Sequence, residues 1–126
     1  MQFADPNDKS GCRVTRWQLL KQQLNHLEPA AFRKAIENDP QAILLDVRTD
    51  AEYAQGALPG ARHLNYLDYG FLDRLETLDK ETTYLVYCRT GRRSIRTCLL
   101  MQNSGFRRVF NLEGGLSAWK AAFEAQ

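Results

Sequence analysis

Cysteine is scarce. Cys12, Cys88 and Cys98 make an odd, low count that does not build the disulfide framework of a small secreted domain and fits a reducing compartment. Histidine is scarcer still: His26 and His63 lie far apart, no Cys/His spacing resembles a zinc site, and no metal is expected. The opening residues, MQFADPNDKSGCRVTRW, hold no apolar run of signal-peptide length, and no later segment reaches the span needed to cross a bilayer. A soluble cytoplasmic protein without a membrane partner is expected. Internal repeats and low-complexity stretches are absent, as are phosphate-binding glycine motifs, dinucleotide fingerprints and nucleic-acid modules, so no cofactor and no nucleic-acid partner are expected. Neither sign of charge dominates: 17 basic residues against 15 acidic ones leave +2, so any basic site must be local.

What the chain does have is material for one core. At 126 residues with 44% hydrophobic content it can bury a single compact unit without disulfides or metals, and nothing in the pattern demands more than a monomer. Residues 1–22 read as an N-terminal extension, partly disordered because its first stretch is polar and carries Pro6 and Gly11; residues 23–126 read as the domain. Within the extension, Trp17, Leu20 and Leu24 recur at helical spacing, which suggests a short amphipathic turn resting on the domain.

Strands and helices then alternate. Pro29 opens a helix whose Phe32, Ala35 and Ile36 share a face, and Asn38-Asp39-Pro40 closes it. Ala42 to Val47 is an apolar run broken only by Asp46, as in a strand covered on both faces. Thr49 to Gln55 reads as a short helix, Pro59-Gly60 as a turn, Arg62 to Tyr66 as a short strand and Tyr84 to Cys88 as a central one. A helix starts near Arg93 and stops at Asn103-Ser104-Gly105. Arg108 to Leu112 is a last strand, and Leu116, Trp119 and Phe123 stripe a terminal helix. This order implies an α/β fold, an open and mainly parallel sheet of about five strands with helices on both faces. Ligands in such sheets bind beyond the carboxyl ends of the strands, where both Asp46-Val47-Arg48 and Cys88 fall.

The segment Cys88-Arg89-Thr90-Gly91-Arg92-Arg93-Ser94 joins a buried strand to a helix. Amides of such a loop and of the first helical turn lack intrahelical partners and can converge on an anion, and Gly91 lets the chain curl into a concave nest. A helix start and neighbouring arginines both favour the thiolate of Cys88, which makes it nucleophilic without a histidine base. Arg89, Arg92, Arg93 and Arg96 crowd a helix end whose dipole disfavours cations, a pattern that suggests an anionic ligand. The plainer alternative, a buried small hydrophobe beside a solvated basic face, explains the cysteine or the arginines singly but not their coincidence with Gly91 at this junction.

Five segments in order, LLDVR at Leu44–Arg48, Glu52-Tyr53, GALPGA at Gly56–Ala61, YCRTGRRS at Tyr87–Ser94 and GGLSAW at Gly114–Trp119, resemble the rhodanese-like domain family, over roughly Leu24 to Phe123. The resemblance implies a sulfurtransferase in which Cys88 takes a sulfane sulfur from thiosulfate or a persulfide donor and passes it to cyanide, a thiol, thioredoxin or another sulfur-carrier protein. It implies that the amides from Arg89 to Ser94 cradle the persulfide and that the loop arginines, Arg92 and Arg93 foremost, hold the anionic donor. Asp46 and Arg48 would support the loop or border the pocket, either as a structural ion pair or as substrate contacts. Ala57 departs from the family, where histidine often follows that glycine; thiolate attack needs no imidazole there.

Two other functions compete. Related cysteine phosphatases place an arginine six residues after the cysteine, whereas Ser94 stands there and Arg93 lies one residue nearer. A non-catalytic rhodanese-like module is the second, and it often lacks the cysteine that this chain retains. Cys98, on the helix face with Ile95 and Leu99, reads as core; Cys12 is a candidate to resolve an oxidised Cys88; and Arg107-Arg108 reads as a solvated pair.

Overall fold

The computed structural model describes residues 15–124. Cys12 and the disorder expected at the chain start fall outside the described residues. The elements in order are α1 (Arg16–Lys21), β1 (Asn25–Leu27), α2 (Pro29–Asn38), β2 (Ile43–Asp46), α3 (Asp50–Ala54), β3 (Arg62–His63), α4 (Phe71–Glu76), β4 (Thr83–Tyr87), α5 (Arg92–Asn103), β5 (Arg108–Leu112) and α6 (Gly115–Phe123). The five strands form one parallel sheet in the order β1-β5-β4-β2-β3.

Alternation along the strands divides the core in two. From β4, Tyr84 and Val86 point to a cluster with Ile95, Cys98 and Met101 of α5, Phe71 and Leu75 of α4, and Trp17 of α1 at its edge. Leu85 and Tyr87 point the other way, to Phe32 of α2 and Leu116 of α6. A parallel sheet buried on both faces needs apolar residues at consecutive positions, and Tyr84 to Tyr87 supplies four in a row, each no more than 2% exposed. Phe32 is fully buried, with the Trp119 ring edge-on at 6.3 Å. Truncating such a phenylalanine to alanine costs about 3–5 kcal/mol.

Three elements depart from the sequence reading. The edge strand β3 holds two residues rather than the expected stretch to Tyr66, because it pairs only with β2 and the chain leaves after Leu64 donates to the Asp46 carbonyl. The strand β1 and the helix α4 are additional to the elements expected from the sequence. With three residues, β1 is too short to show alternation; it exists because its register places Asn25, His26 and Leu27 opposite Phe110, Asn111 and Leu112. Of the expected stripe of Trp17, Leu20 and Leu24, Trp17 packs at the core's edge from α1, Leu20 is half-buried, and Leu24 is buried beyond the end of that helix at Lys21.

Candidate active site

Cys88 follows the last residue of β4, and Gly91 precedes the first of α5, so the junction between a central strand and its helix is only four residues long. Gly91 has φ +105°, the left-handed region in which the chain turns back on itself. Its amide and that of Ser94 both donate to the Cys88 sulfur, at 3.1 and 3.3 Å, while the Gly91 carbonyl accepts from the Ile95 amide to start the helix. Of the amides expected to cradle the sulfur, these two reach Sγ.

The loop carbonyls are held outward. Leu116 donates its amide to the Cys88 oxygen at 2.8 Å and Ser117 donates to the Arg89 oxygen at 2.9 Å, so the start of α6 occupies two of the loop's acceptors while the Gly91 and Ser94 amides are directed at the sulfur. This requires close approach of two backbones. Gly115, at φ +65°, permits it: a Cβ there would stand 2.6 Å from the carbonyl carbon and oxygen of Arg89 and 2.7 Å from the Cys88 oxygen.

The arginines are arranged differently from the sequence expectation. Arg93 forms a two-pronged ion pair with Glu52 at the start of α3, at 2.8 and 3.1 Å, and Arg89 approaches the same carboxylate at 3.7 Å. Arg92 and Arg96 lie over the Trp17 ring, at 4.8 and 5.7 Å from its centroid. The cations crowding the helix start are therefore compensated by a carboxylate and an aromatic face within the chain, and their number does not by itself call for an anionic ligand. The Arg93 guanidinium holds Glu52 well below the usual carboxylate range, at about 2, with the capping hydrogen bonds from Thr49 adding to the effect. In turn Glu52 raises the proton affinity of Arg93. Arg89 and Thr90 remain exposed at the loop mouth.

Asp46 and Arg48 form a buried ion pair. The Arg48 Nε donates to both Asp46 oxygens at 3.1 and 3.0 Å, Nη2 donates to Asp46 at 2.7 Å and to the Gly56 carbonyl at 2.6 Å, and the Arg48 amide donates to Asp46 at 2.9 Å. Burial works against the charge on Arg48, yet Asp46 outweighs it. Asp46 is the register partner of Tyr87, whose hydroxyl accepts from the Leu58 amide. Burial and the Asp46 carboxylate push the Tyr87 phenol upward. Of the two roles open to the pair, the geometry is that of a brace for the Gly56–Leu58 segment.

Cys88 itself has no exposed surface. Cys98 is core, as expected, and burial pushes its thiol far up. Two partners of the loop have no role that the sequence alone assigns: Glu52, though part of one of the family segments, and Asn111, which belongs to none of them. Glu52 is marked locally by the Thr49/Glu52 capping box, which explains its place at α3 but not its hold on Arg93. Asn111 is signalled in the sequence as an amide within the expected last strand, Arg108 to Leu112, since an amide that a strand buries needs partners. It is fully buried, accepts from the Ser94 hydroxyl and contacts the His26 ring.

This architecture and loop define a class, and comparison with known proteins gives the same one: the rhodanese-like domain family matches residues 28–122, and the chain belongs to that family. Among curated relatives, YtwF of Bacillus subtilis (strain 168) is 39% identical over 98 residues, 78% of this chain and 92% of that protein. A protein of Allochromatium vinosum named sulfurtransferase is 32% identical over 96 residues, 76% of this chain and 88% of its own length. Among solved structures, the rhodanese-like domain of the Anabaena Alr3790 protein superimposes with a TM-score of 0.68 at 29% identity, covering 78% of this chain and 74% of that one. No helix among the described residues is long and apolar enough to cross a membrane.

Proposed function

We propose that this protein is a sulfurtransferase that carries sulfur as a persulfide on Cys88. The observation that carries the reading is the sulfur at the end of a central strand with two amide donors, Gly91 and Ser94, directed at it. Such donors stabilise negative charge on Sγ before attack and again when the persulfide is cleaved.

In the first half-reaction the Cys88 thiolate attacks the sulfane sulfur of thiosulfate or of a persulfide donor. A bond forms from Sγ to that sulfur, and the bond to the leaving group breaks with its electron pair, releasing sulfite from thiosulfate. In the second, cyanide or a thiol, free or on thioredoxin or another sulfur-carrier protein, attacks the outer sulfur and the electron pair returns to Sγ. No external oxidant or reductant is needed. Arg89, exposed at the mouth, is the cation best placed to meet an anionic donor; Arg93 acts through its grip on Glu52, which ties the loop to α3. Phosphate-ester cleavage is less well served, since the residue six positions after the cysteine is Ser94, turned inward to Asn111.

The test is incubation with thiosulfate followed by intact-mass measurement. Wild type should gain the mass of one sulfur atom, lost again on addition of cyanide, and Cys88→Ser should gain none. Equal labelling of both proteins, or no labelling of wild type by thiosulfate or by a persulfide, rejects the proposal.

A further inference from the structure

Behind the loop runs a chain of hydrogen bonds that the reaction as written does not use. The Cys88 sulfur lies 3.5 Å from Ser94 Oγ, Ser94 Oγ lies 2.5 Å from Asn111 Oδ1, Asn111 Nδ2 lies 3.0 Å from His26 Nδ1, and His26 Nε2 lies 2.8 Å from the Lys21 carbonyl. The chain spans α5, β5 and β1. His26 and Asn111 are register partners in the parallel pair β1·β5, and Asn111 alternates with Phe110 so that it faces α5. At the outer end the His26 side chain keeps 18% of its surface exposed, whereas Ser94, Asn111 and Cys88 have none.

Valence fixes the direction of every link. The Lys21 carbonyl can only accept, so His26 Nε2 carries a proton. In the neutral ring Nδ1 is then an acceptor and takes a proton from Asn111 Nδ2. That orientation turns Asn111 Oδ1 to Ser94, where it accepts the single hydroxyl proton. Ser94 therefore presents lone pairs to the sulfur: it can accept from a thiol but cannot donate to a thiolate. A second proton on His26, at Nδ1, reverses this order. Asn111 then has to turn its oxygen to the ring and its amine to Ser94, which frees the hydroxyl proton. Its choices are the Gly91 carbonyl, 3.1 Å away, and the sulfur; an ionised sulfur is the stronger acceptor.

We propose that His26, acting through Asn111, sets the direction of the Ser94 hydroxyl and so couples its own protonation to the ionisation of Cys88. The proposal rests on Cys88 being the nucleophile of the function above. His26 is a positioning residue and never touches substrate. With the hydroxyl turned toward it, Sγ has a third donor beside the two amides, both as attacking thiolate and as the group that regains the electron pair when the persulfide is cleaved. Among the described residues, the charged groups around the ring are Glu113, whose Oε2 is 4.0 Å from Nδ1, and Lys21, whose ammonium is 4.0 Å from Glu113 Oε1. β5 itself contributes the neutral Asn111 and α5 contributes Ser94 to the chain; of the α5 arginines, Arg92 and Arg96 lie on Trp17 and Arg93 on Glu52.

Coupling of this kind is reciprocal, so it can be read from either end without any sulfur donor present. The His26 ring nitrogens are titrated by NMR in wild type and in Cys88→Ser, and the thiolate absorbance of Cys88 is titrated in wild type and in His26→Gln. A hydrogen bond to a charged acceptor corresponds to a coupling of about tenfold. His26 should hold its proton to higher pH in wild type than in Cys88→Ser, and the Cys88 titration should lose its His26-linked inflection in His26→Gln. The decisive variant is Ser94→Ala, which keeps every charge and both sulfur-directed amides but removes the relay. There the coupling should fall to about twofold or less, the residue left to direct electrostatics. Equal coupling in wild type and Ser94→Ala, or none in wild type, overturns the proposal. Absence of sulfur labelling with this coupling intact would instead count against the proposed reaction alone. Should His26→Gln fail to fold, the NMR comparison of wild type, Cys88→Ser and their Ser94→Ala counterparts decides the question.

Discussion

Substituting Gly115 by alanine tests how the loop is built. An alanine Cβ would lie 2.6 Å from the Arg89 carbonyl and 2.7 Å from the Cys88 oxygen, both backbone atoms that no rotamer change can remove. Restoring ordinary contact requires the loop and α6 to part by roughly 0.5–1 Å, given that carbon atoms pack at about 3.5 Å or more. Such a shift strains the Leu116 and Ser117 hydrogen bonds that keep the loop's carbonyls facing outward. Two costs add: about 1–2 kcal/mol for a side chain in the left-handed region and about 1–3 kcal/mol for overpacking, together roughly 2–5 kcal/mol. Displacing a catalytic group by about 1 Å is enough for a hundredfold loss of rate. Gly60→Ala is the control. Gly60 has φ +82° but nothing within 4 Å of the added carbon, so only the conformational cost of about 1–2 kcal/mol applies. The assays are urea unfolding and the rate of sulfur transfer to cyanide at a temperature where both variants are folded. Gly115→Ala should be the less stable of the two and about a hundredfold slower, with Gly60→Ala near wild-type rate. Equal stability losses in the two variants, together with an unchanged rate in Gly115→Ala, would refute the reasoning.

Two further substitutions probe the ion pairs. Glu52→Gln keeps the capping hydrogen bonds but removes the charge facing Arg93 and Arg89. Because folding lowers this carboxyl from its ordinary 4.5 to about 2, its contribution is complete above pH 4.5 and is lost as pH falls toward 2. Wild type should therefore exceed Glu52→Gln by about 1–2 kcal/mol at neutral pH, a gap that closes near pH 2 in denaturant titrations; a gap independent of pH contradicts the assignment. Asp46→Asn leaves the Arg48 guanidinium buried without its counter-ion and should cost about 3–5 kcal/mol in unfolding free energy, whereas a variant as stable as wild type would show that the pair is no brace.

The residues alone determined the frame of this protein: an alternation of strands and helices, a central strand from Tyr84, and a loop from Cys88 to Ser94 punctuated by Gly91. These features are legible because their causes are local. An unbroken apolar run needs cover on both sides, a glycine permits a turn that other residues resist, and a proline opens a helix. Five short segments in order then pointed to the family. Tertiary structure alone decided who faces whom. Nothing near Arg93 in the chain names Glu52, 41 positions away, as its partner, so guanidinium groups that looked available for a ligand are held by a carboxylate and by Trp17. Asp46 and Arg48 became a brace because β2 pairs in register with β4 and so sets them against Tyr87 and the Gly56 carbonyl. The three-residue strand β1 carries no pattern of its own, yet its pairing with β5 brings His26 to Asn111 across 85 positions. Hydrogen bonds and ion pairs act over about 3 Å in space whatever the separation along the chain, so their partners exist only once the sheet order has closed.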